Sequence, residues 1–263
     1  MAKKRTKQKQ REKPRFTTTQ VMTIIIITAV LTFSGTLYMF LKIASMTTTS
    51  VQRTPIVYSG TGTAIVLAVK GDTGEGEIGH VIVQITPGEG RILANTNPFV
   101  EPDTQMSVET AVVAALDFTG KLPDGMDFIV TFDTNATLIG GPSAGGAISI
   151  ATLAALEHKE VRQDVAMTGG IDENGNILPV GGLVEKITVA AKQGIKTVLI
   201  PDGQGNITVY ETTKETQTIG DYQYVRITIV PKKIDLIKYG QDALNIKVRE
   251  VSTIDEAAGY LLN

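Results

Sequence analysis

Cysteine and tryptophan are both absent from the 263-residue chain, and histidine occurs only twice. Without cysteine, a disulfide scaffold, a cysteine nucleophile and an iron–sulfur site are all excluded, and two histidines are too few for a zinc finger. Aromatic residues make up only 5% of the chain, which disfavours the recognition of single-stranded nucleic acid by base stacking. We therefore predict no metal, no cofactor and no nucleic-acid partner.

Charge is distributed unevenly along the chain. Residues 1–15 contain eight basic side chains and one acid, Glu12, a formal charge of +7. Because the whole chain carries −2, the remaining 248 residues sum to −9. A basic tail before an acidic body is compatible with a nucleic-acid contact, a membrane surface or a membrane-topology signal.

The segment that follows the tail favours the membrane. No charged residue occurs from Phe16 to Leu41, and the 21 residues 21–41 would span about 32 Å as a helix, which matches a bilayer core. The excess of basic residues before the segment places the N-terminus in the cytoplasm. A cleaved signal peptide is the alternative, with Ala44–Met46 as the cleavage site, although its apolar core is normally shorter. We expect a single-pass anchor in the cell membrane with an extracytoplasmic body.

Four regions follow from these features. Residues 1–20 form the cytoplasmic tail, 21–41 the transmembrane helix, and 42–55 a polar linker rich in threonine. Residues 56–263 form one domain; the whole chain is 42% hydrophobic, which supports a packed core. Within that domain, residues 203–230 are polar and β-prone and form an insertion that is an edge hairpin or a lid.

Strand and helix patterns mix along the body without strict alternation, which favours the α+β class. Strands alternate in hydrophobicity or form short apolar runs, and helices repeat their apolar residues every three to four positions. The predicted strands cover 63–70, 78–85, 91–94, 127–132, 165–168, 178–182, 196–200 and 245–251, and the predicted helices cover 104–118, 147–158, 183–193, a segment within 234–244, and 253–262.

A glycine-rich loop at 140–146 contains Ser143 and runs into an apolar helix. Ser143 would lie in the first helical turn, where unpaired N–H groups and the positive end of the helix dipole favour negative charge. Its own N–H and a neighbour's would hold an oxyanion, and Gly141, Pro142, Ala144 and Gly145 would form the surrounding loop. The alternative is that Ser143 is an ordinary helix N-cap.

A nucleophilic serine needs a base. His80 lies in a strand, and His158 lies about 22 Å along the helix that Ser143 begins. Lysine remains, and Ser-Lys dyads are known. Lys186 shares an apolar helical stripe with residues 183, 187 and 190, where burial would lower its pKa. The alternative is a lysine at the edge of the stripe whose amine reaches solvent.

Four blocks resemble the proteolytic domain of Lon proteases in order and spacing, most clearly over residues 127–201. The separation of 43 positions from Ser143 to Lys186 also resembles that family's spacing. The resemblance implies that Ser143 is the nucleophile, that Lys186 is the general base, and that Thr168 hydrogen-bonds the lysine. For Thr168, the alternative is a strand-end hydroxyl that caps a turn. The blocks are 141–145, 164–169, 177–186 and 194–201.

The chain also departs from the family pattern. Gly140 and Gly170 stand where the family usually has an aspartate and a glutamate, and Val184 replaces a lysine. No Gly-x4-Gly-Lys-[Ser/Thr] motif occurs. We therefore expect an ATP-independent endopeptidase that cleaves unfolded or flexible polypeptides through an acyl-enzyme.

Self-association is implied by the resemblance, because Lon-type domains assemble as rings. Two other functions remain open. The first is an inactive Lon-like binding or scaffold module at the membrane, since a fold does not fix a function. The second is a phosphate-binding protein similar to GHMP kinases, since glycine-rich loops before helices also cradle phosphates.

Overall fold

The computed structural model describes residues 17–46, 59–220 and 222–263. The basic residues of the predicted tail and most of the predicted linker lie outside these ranges. The chain divides into two units, Met1–Thr54 and Pro55–Asn263, and each is described by itself.

The first unit contains one long helix, α1 (Thr18–Met46). Its 29 residues extend about 44 Å, and its stretch Thr18–Ile43 has a mean hydropathy of 2.1. The hydroxyls of Thr23, Thr32 and Ser34 donate to carbonyl oxygens four residues earlier, at 2.8 to 2.9 Å, so these polar groups are satisfied inside the helix. By length and composition α1 could cross a membrane, although a signal sequence near an N-terminus meets the same criteria.

The second unit confirms the α+β class. Its strands and helices follow the predicted order, with three very short additional strand pieces around the loops. The strands are β1 (Gly60–Val69), β2 (Gly76–Pro87), β3 (Ile92–Ala94), β4 (Phe99–Val100), β5 (Met126–Asp133), β6 (Leu138–Ile139), β7 (Val165–Met167), β8 (Gly170–Ile171), β9 (Ile177–Leu178), β10 (Thr197–Pro201), β11 (Asn206–Ile219), β12 (Tyr222–Asp235) and β13 (Lys247–Val251). The helices are α2 (Pro102–Thr119), α3 (Gly145–Glu157), α4 (Leu183–Lys192), α5 (Leu236–Leu244) and α6 (Ile254–Leu261).

Two sheets organise this unit. The larger has the order β1-β2-β5-β3, so β1 is an edge strand, and the smaller is a parallel sheet of order β13-β10-β7. Strand β1 is buried on both faces, as expected for its continuous apolar run. Ala64 and Val66 belong to the core formed with α2 and α3, whereas Ile65 and Leu67 belong to the core formed with α4, β10 and β13.

Helix α3 is buried on all sides, because residues 145–156 are all inaccessible to solvent. Such a helix has no polar face and needs close neighbours all round. Gly62 provides one of them: a Cβ added there would overlap the carbonyl oxygen of Ala151 and lie 2.9 Å from its carbonyl carbon. The backbones of α3 and β1 therefore touch directly, which fixes the position of the helix whose first residues follow Ser143.

The segment 203–230 belongs to a hairpin formed by β11 and β12, which pair in antiparallel register from Asn206↔Asp235 to Ile219↔Tyr222. Most of its side chains are exposed, including Ile227 and Ile229 at 58% and 63%. Of its described residues, only Ile207 and Ile234, near its base, pack against the second core. The hairpin therefore extends from the domain and contributes little to its core.

Candidate active site

The loop that carries Ser143 differs in one detail from the sequence prediction. Helix α3 begins at Gly145 and its N-cap is Ala144, so Ser143 lies just before the helix and not in its first turn. No side chain caps this helix, so the interpretation of Ser143 as an N-cap is wrong. Gly141 has a φ of 85°, a conformation that favours glycine and turns the chain into the loop.

Hydroxyl groups of α2 hold this loop in place. Thr104 donates its Oγ1 hydrogen to the carbonyl of Gly141 at 3.0 Å, and Ser107 Oγ donates to the carbonyl of Pro142 at 3.2 Å. The Gly145 N–H also donates to Pro142, at 3.1 Å. Sequence reasoning missed Thr104 and Ser107. Their signal was two buried hydroxyl residues on the apolar stripe of a helix, where a polar side chain needs a partner.

Ser143 is tied through its main chain to the end of β7. The Gly169 N–H donates to the Ser143 carbonyl oxygen at 3.0 Å, and Thr168 Oγ1 donates to the same oxygen at 3.4 Å. In return, the Gly146 N–H donates to the Gly169 carbonyl at 3.0 Å. Thr168 itself is fixed because its N–H donates to Leu199 of the neighbouring strand β10.

Lys186 points into the same region from α4. The buried residues of α4 are the four of the predicted stripe, Leu183, Lys186, Ile187 and Ala190. The Lys186 residue is only 3% exposed, so its amine does not reach solvent. Lys186 Nζ donates to Thr168 Oγ1 at 3.0 Å, and this contact is buried. The lysine amine is thus two hydrogen-bond lengths from the Ser143 carbonyl oxygen.

The surroundings of Lys186 favour its neutral form. Burial lowers the pKa of Lys186 from 10.5 to about 8, and the negative charge of Glu185 acts in the opposite direction. A protonated amine has three donors, and within the described residues only Thr168 Oγ1 accepts from it. Because a buried charge without matching acceptors is costly, the amine loses its proton far more easily than an exposed lysine.

A groove of about 560 Å³ opens beside Ser143. Its walls are the end of β1, the β1–β2 turn, residues 132–141 and the N-terminus of α2. The N–H groups of Ser143 and Ala144 donate to no acceptor within the described parts of the chain, and so are available to a bound group. Strand β1 has a free edge here, which offers unpaired backbone groups to an extended peptide.

The two histidines lie away from this arrangement. His158 caps the C-terminal end of α3, the end opposite to Ser143, and His80 pairs with Ile65 in the middle of β2. Across the described residues, no three histidine or acidic side chains converge in a way that could hold a metal ion.

Comparison with known proteins identifies the family of the chain. The sequence profile of the Lon protease (S16) C-terminal proteolytic domain matches residues 99–238, more than half of the chain. The chain belongs to this Lon family. The match extends beyond the blocks seen in the sequence, since it also includes α2, the loop before Ser143 and the β11–β12 hairpin.

Individual Lon proteases agree with this membership. The chain is 37% identical over 131 residues to Lon protease of Phenylobacterium zucineum, covering 48% of this chain and 16% of the relative. It is 34% identical over 157 residues to that of Haemophilus influenzae, covering 60% of this chain and 16% of the relative. The chain therefore spans about a sixth of the length of these curated Lon proteases.

Proposed function

We propose that the protein is a membrane-anchored, ATP-independent endopeptidase that uses Ser143 and Lys186 as a catalytic dyad. The supporting observation is the buried Lys186 amine, which donates to Thr168 Oγ1 at 3.0 Å while the same hydroxyl contacts the Ser143 carbonyl. An isolated amine with a pKa near 8 is suited to act as a base near neutral pH. Thr168 orients this amine and leaves its lone pair directed away from the threonine.

In the first half of the reaction, neutral Lys186 takes the proton of the Ser143 hydroxyl while Oγ attacks a substrate carbonyl. The tetrahedral oxyanion accepts hydrogen bonds from the N–H groups of Ser143 and Ala144. The C–N bond breaks as Lys186 gives its proton to the leaving amine, so an acyl-Ser143 ester remains. In the second half, Lys186 takes a proton from water, the resulting hydroxide attacks the ester, and the proton returns to Ser143.

The substrates that suit this groove are extended polypeptides. The groove is open along the free edge of β1, and a peptide can pair there only if its own backbone groups are not already paired in a fold. The 263 residues contain no phosphate-binding Gly-x4-Gly-Lys-[Ser/Thr] motif. We therefore propose that the chain cleaves unfolded or flexible polypeptides without ATP.

We further propose that α1 is retained as a single-pass anchor in the cell membrane. The eight basic residues before it place the N-terminus in the cytoplasm by the positive-inside rule, and the catalytic domain on the other side. Membership of the Lon family also favours a homo-oligomer. Mass measurement of the purified chain tests whether α1 is retained. Protease protection of intact cells tests on which side of the membrane the catalytic domain lies.

The dyad is tested by casein cleavage with purified full-length protein in detergent. Ser143→Ala and Lys186→Ala should each abolish cleavage with an unchanged circular dichroism spectrum. Lys192→Ala is the matched control, since Lys192 lies on the same helix but is exposed, and it should keep full activity. The wild-type rate should not respond to ATP. Near-full activity of Lys186→Ala would disprove the dyad.

A fluorophosphonate probe separates this function from an inactive binding module. The wild-type protein should be labelled at Ser143, because the probe reacts only with an activated serine. A correctly folded protein that neither cleaves casein nor takes the label is a binding module.

A further inference from the structure

Strands β4 and β6 bring a carboxylate to the loop that carries Ser143. They pair in parallel register, with Phe99 opposite Leu138 and Val100 opposite Ile139. The residues that directly follow the two strands are Glu101 and Gly140, and the Glu101 N–H donates to the Ile139 carbonyl at 2.9 Å. Glu101 therefore lies across from a residue three positions before Ser143.

The Glu101 side chain fills the space that a side chain on Gly140 would need. A Cβ added to Gly140 would overlap Oε2 of Glu101 and lie 2.8 Å from its Cδ. Gly140 is not among the glycines with positive φ, so backbone strain does not explain the glycine. The glycine at position 140 therefore does not leave the site without a carboxylate, because Glu101, which precedes α2, supplies one.

This carboxylate has no partner within the described residues. Glu101 is the N-cap of α2, yet its side chain makes no capping hydrogen bond. It also forms no ion pair with a described basic residue. It lines the Ser143 groove and is only partly exposed. An anion that is partly withdrawn from water and left unpaired attracts a cation more strongly than a fully exposed one does.

We propose that Glu101 is a specificity-determining residue that pairs with a Lys or Arg side chain of the polypeptide bound in the Ser143 groove. This inference rests on the proposed function, because it assumes that the groove receives the substrate. The other charged residues of the groove agree with it: among the described residues, Asp72, Glu77 and Glu101 line the groove, and Lys70 is the one basic residue that does so. A basic substrate side chain therefore enters a groove of negative sign, whereas an acidic one is repelled.

Two different substitutions remove this carboxylate from the groove. Glu101→Gln removes the charge and keeps the shape, and it leaves α2 intact because the side chain does not cap the helix. Gly140→Ala keeps the charge but displaces it, since the new Cβ overlaps the mobile end of Glu101. Glu109→Gln is the matched control. It makes the same change at an exposed position of α2 that does not line the Ser143 groove.

Peptide binding is measured with the Ser143→Ala protein, so that the result does not depend on turnover. The probes are fluorescein-labelled decapeptide pools in which one position is fixed as Lys, norleucine or Glu and the others are random. We expect about five- to tenfold tighter binding of the Lys pool than of the norleucine pool at one position. This preference should be lost in Glu101→Gln and in Gly140→Ala, but not in Glu109→Gln.

The combined variant sharpens the test. In the Glu101→Gln background, Gly140→Ala should cause no further change in the preference, because both substitutions act on the same group. An unchanged preference in Glu101→Gln, or no preference for the Lys pools in the parent protein, would overturn the inference. Neither result would contradict the proposed dyad as long as casein cleavage still depends on Ser143 and Lys186.

Discussion

The pH dependence of peptide cleavage should report the state of Lys186. The proposed base must be neutral to accept the serine proton, so the acylation rate follows the neutral fraction of this amine. With a pKa of about 8, roughly 9% of the enzyme has a neutral lysine at pH 7. An exposed lysine with an ordinary pKa would give only about 0.03%.

At pH 7 the fraction of enzyme with a neutral Lys186 is therefore about 300-fold larger than it would be for an exposed lysine. The underlying difference in the free energy of deprotonation is roughly 3 kcal/mol. The cause is desolvation of the charged amine, as the residue is 3% exposed. We expect kcat/KM to rise about tenfold per pH unit below pH 7 and to level off above about pH 9.

The assay is the initial rate on a quenched fluorescent peptide that has no group titrating between pH 6 and 10. Labelling of Ser143 by a fluorophosphonate, measured in parallel, separates acylation from the later steps. Lys192→Ala should give the same profile as the wild type. A rate that keeps rising tenfold per unit through pH 10 would refute the buried base, and a plateau already at pH 6 would refute Lys186 as the base.

Three further predictions concern stability and the threonine contact. Lys186→Met should raise the free energy of unfolding at pH 7 by up to about 3 kcal/mol in urea titrations. This gain in unfolding free energy should shrink between pH 8 and pH 10.5, because over that range Lys186 of the unfolded chain still holds a proton that the folded protein has lost. An equal gain at pH 10.5 would contradict the lowered pKa of Lys186. Thr168→Val should lower kcat by roughly 10- to 100-fold, since the Lys186 amine loses its orienting contact. Thr168→Ser keeps the hydroxyl and should keep most of the activity. An equal loss of activity in both variants would mean that Thr168 acts through packing of its methyl group and not through its hydroxyl. Gly62→Ala should lower the unfolding free energy by about 1–3 kcal/mol, because its Cβ overlaps the Ala151 carbonyl; an unchanged urea midpoint would contradict the close packing of α3.

The candidate dyad could be predicted because its residues stand out against a local pattern. Lys186 occupies a position of the helical period that otherwise holds apolar residues, and that period alone predicted the buried face of α4. The supporting contacts could not be predicted in the same way. Thr104 and Ser107 bind carbonyls of residues 141 and 142, more than thirty residues further along the chain, and no local pattern encodes a partner at that distance.

The start of α3 marks a similar limit. The sequence places a helix after the glycines, but four glycines in seven residues allow several starting points of similar energy. The first turn is set by tertiary contacts: the Gly169 N–H holds the Ser143 carbonyl, and Gly169 accepts from Gly146. These contacts keep Ser143 outside the helix.

By itself, the sequence determined the helix with the length and apolarity of a membrane span and the α+β class. Its resemblance to the Lon family and the apolar stripe around Lys186 made Ser143 and Lys186 candidates for a dyad. Composition, period and spacing are properties of neighbouring residues, so they can be seen along the chain itself. Only the tertiary structure decided that Thr104 and Ser107 hold the loop before Ser143, that β1 offers a free edge beside Ser143, and that Glu101 faces Gly140. Those relations depend on strand register and helix packing between distant segments, which are fixed when the chain closes around its two cores.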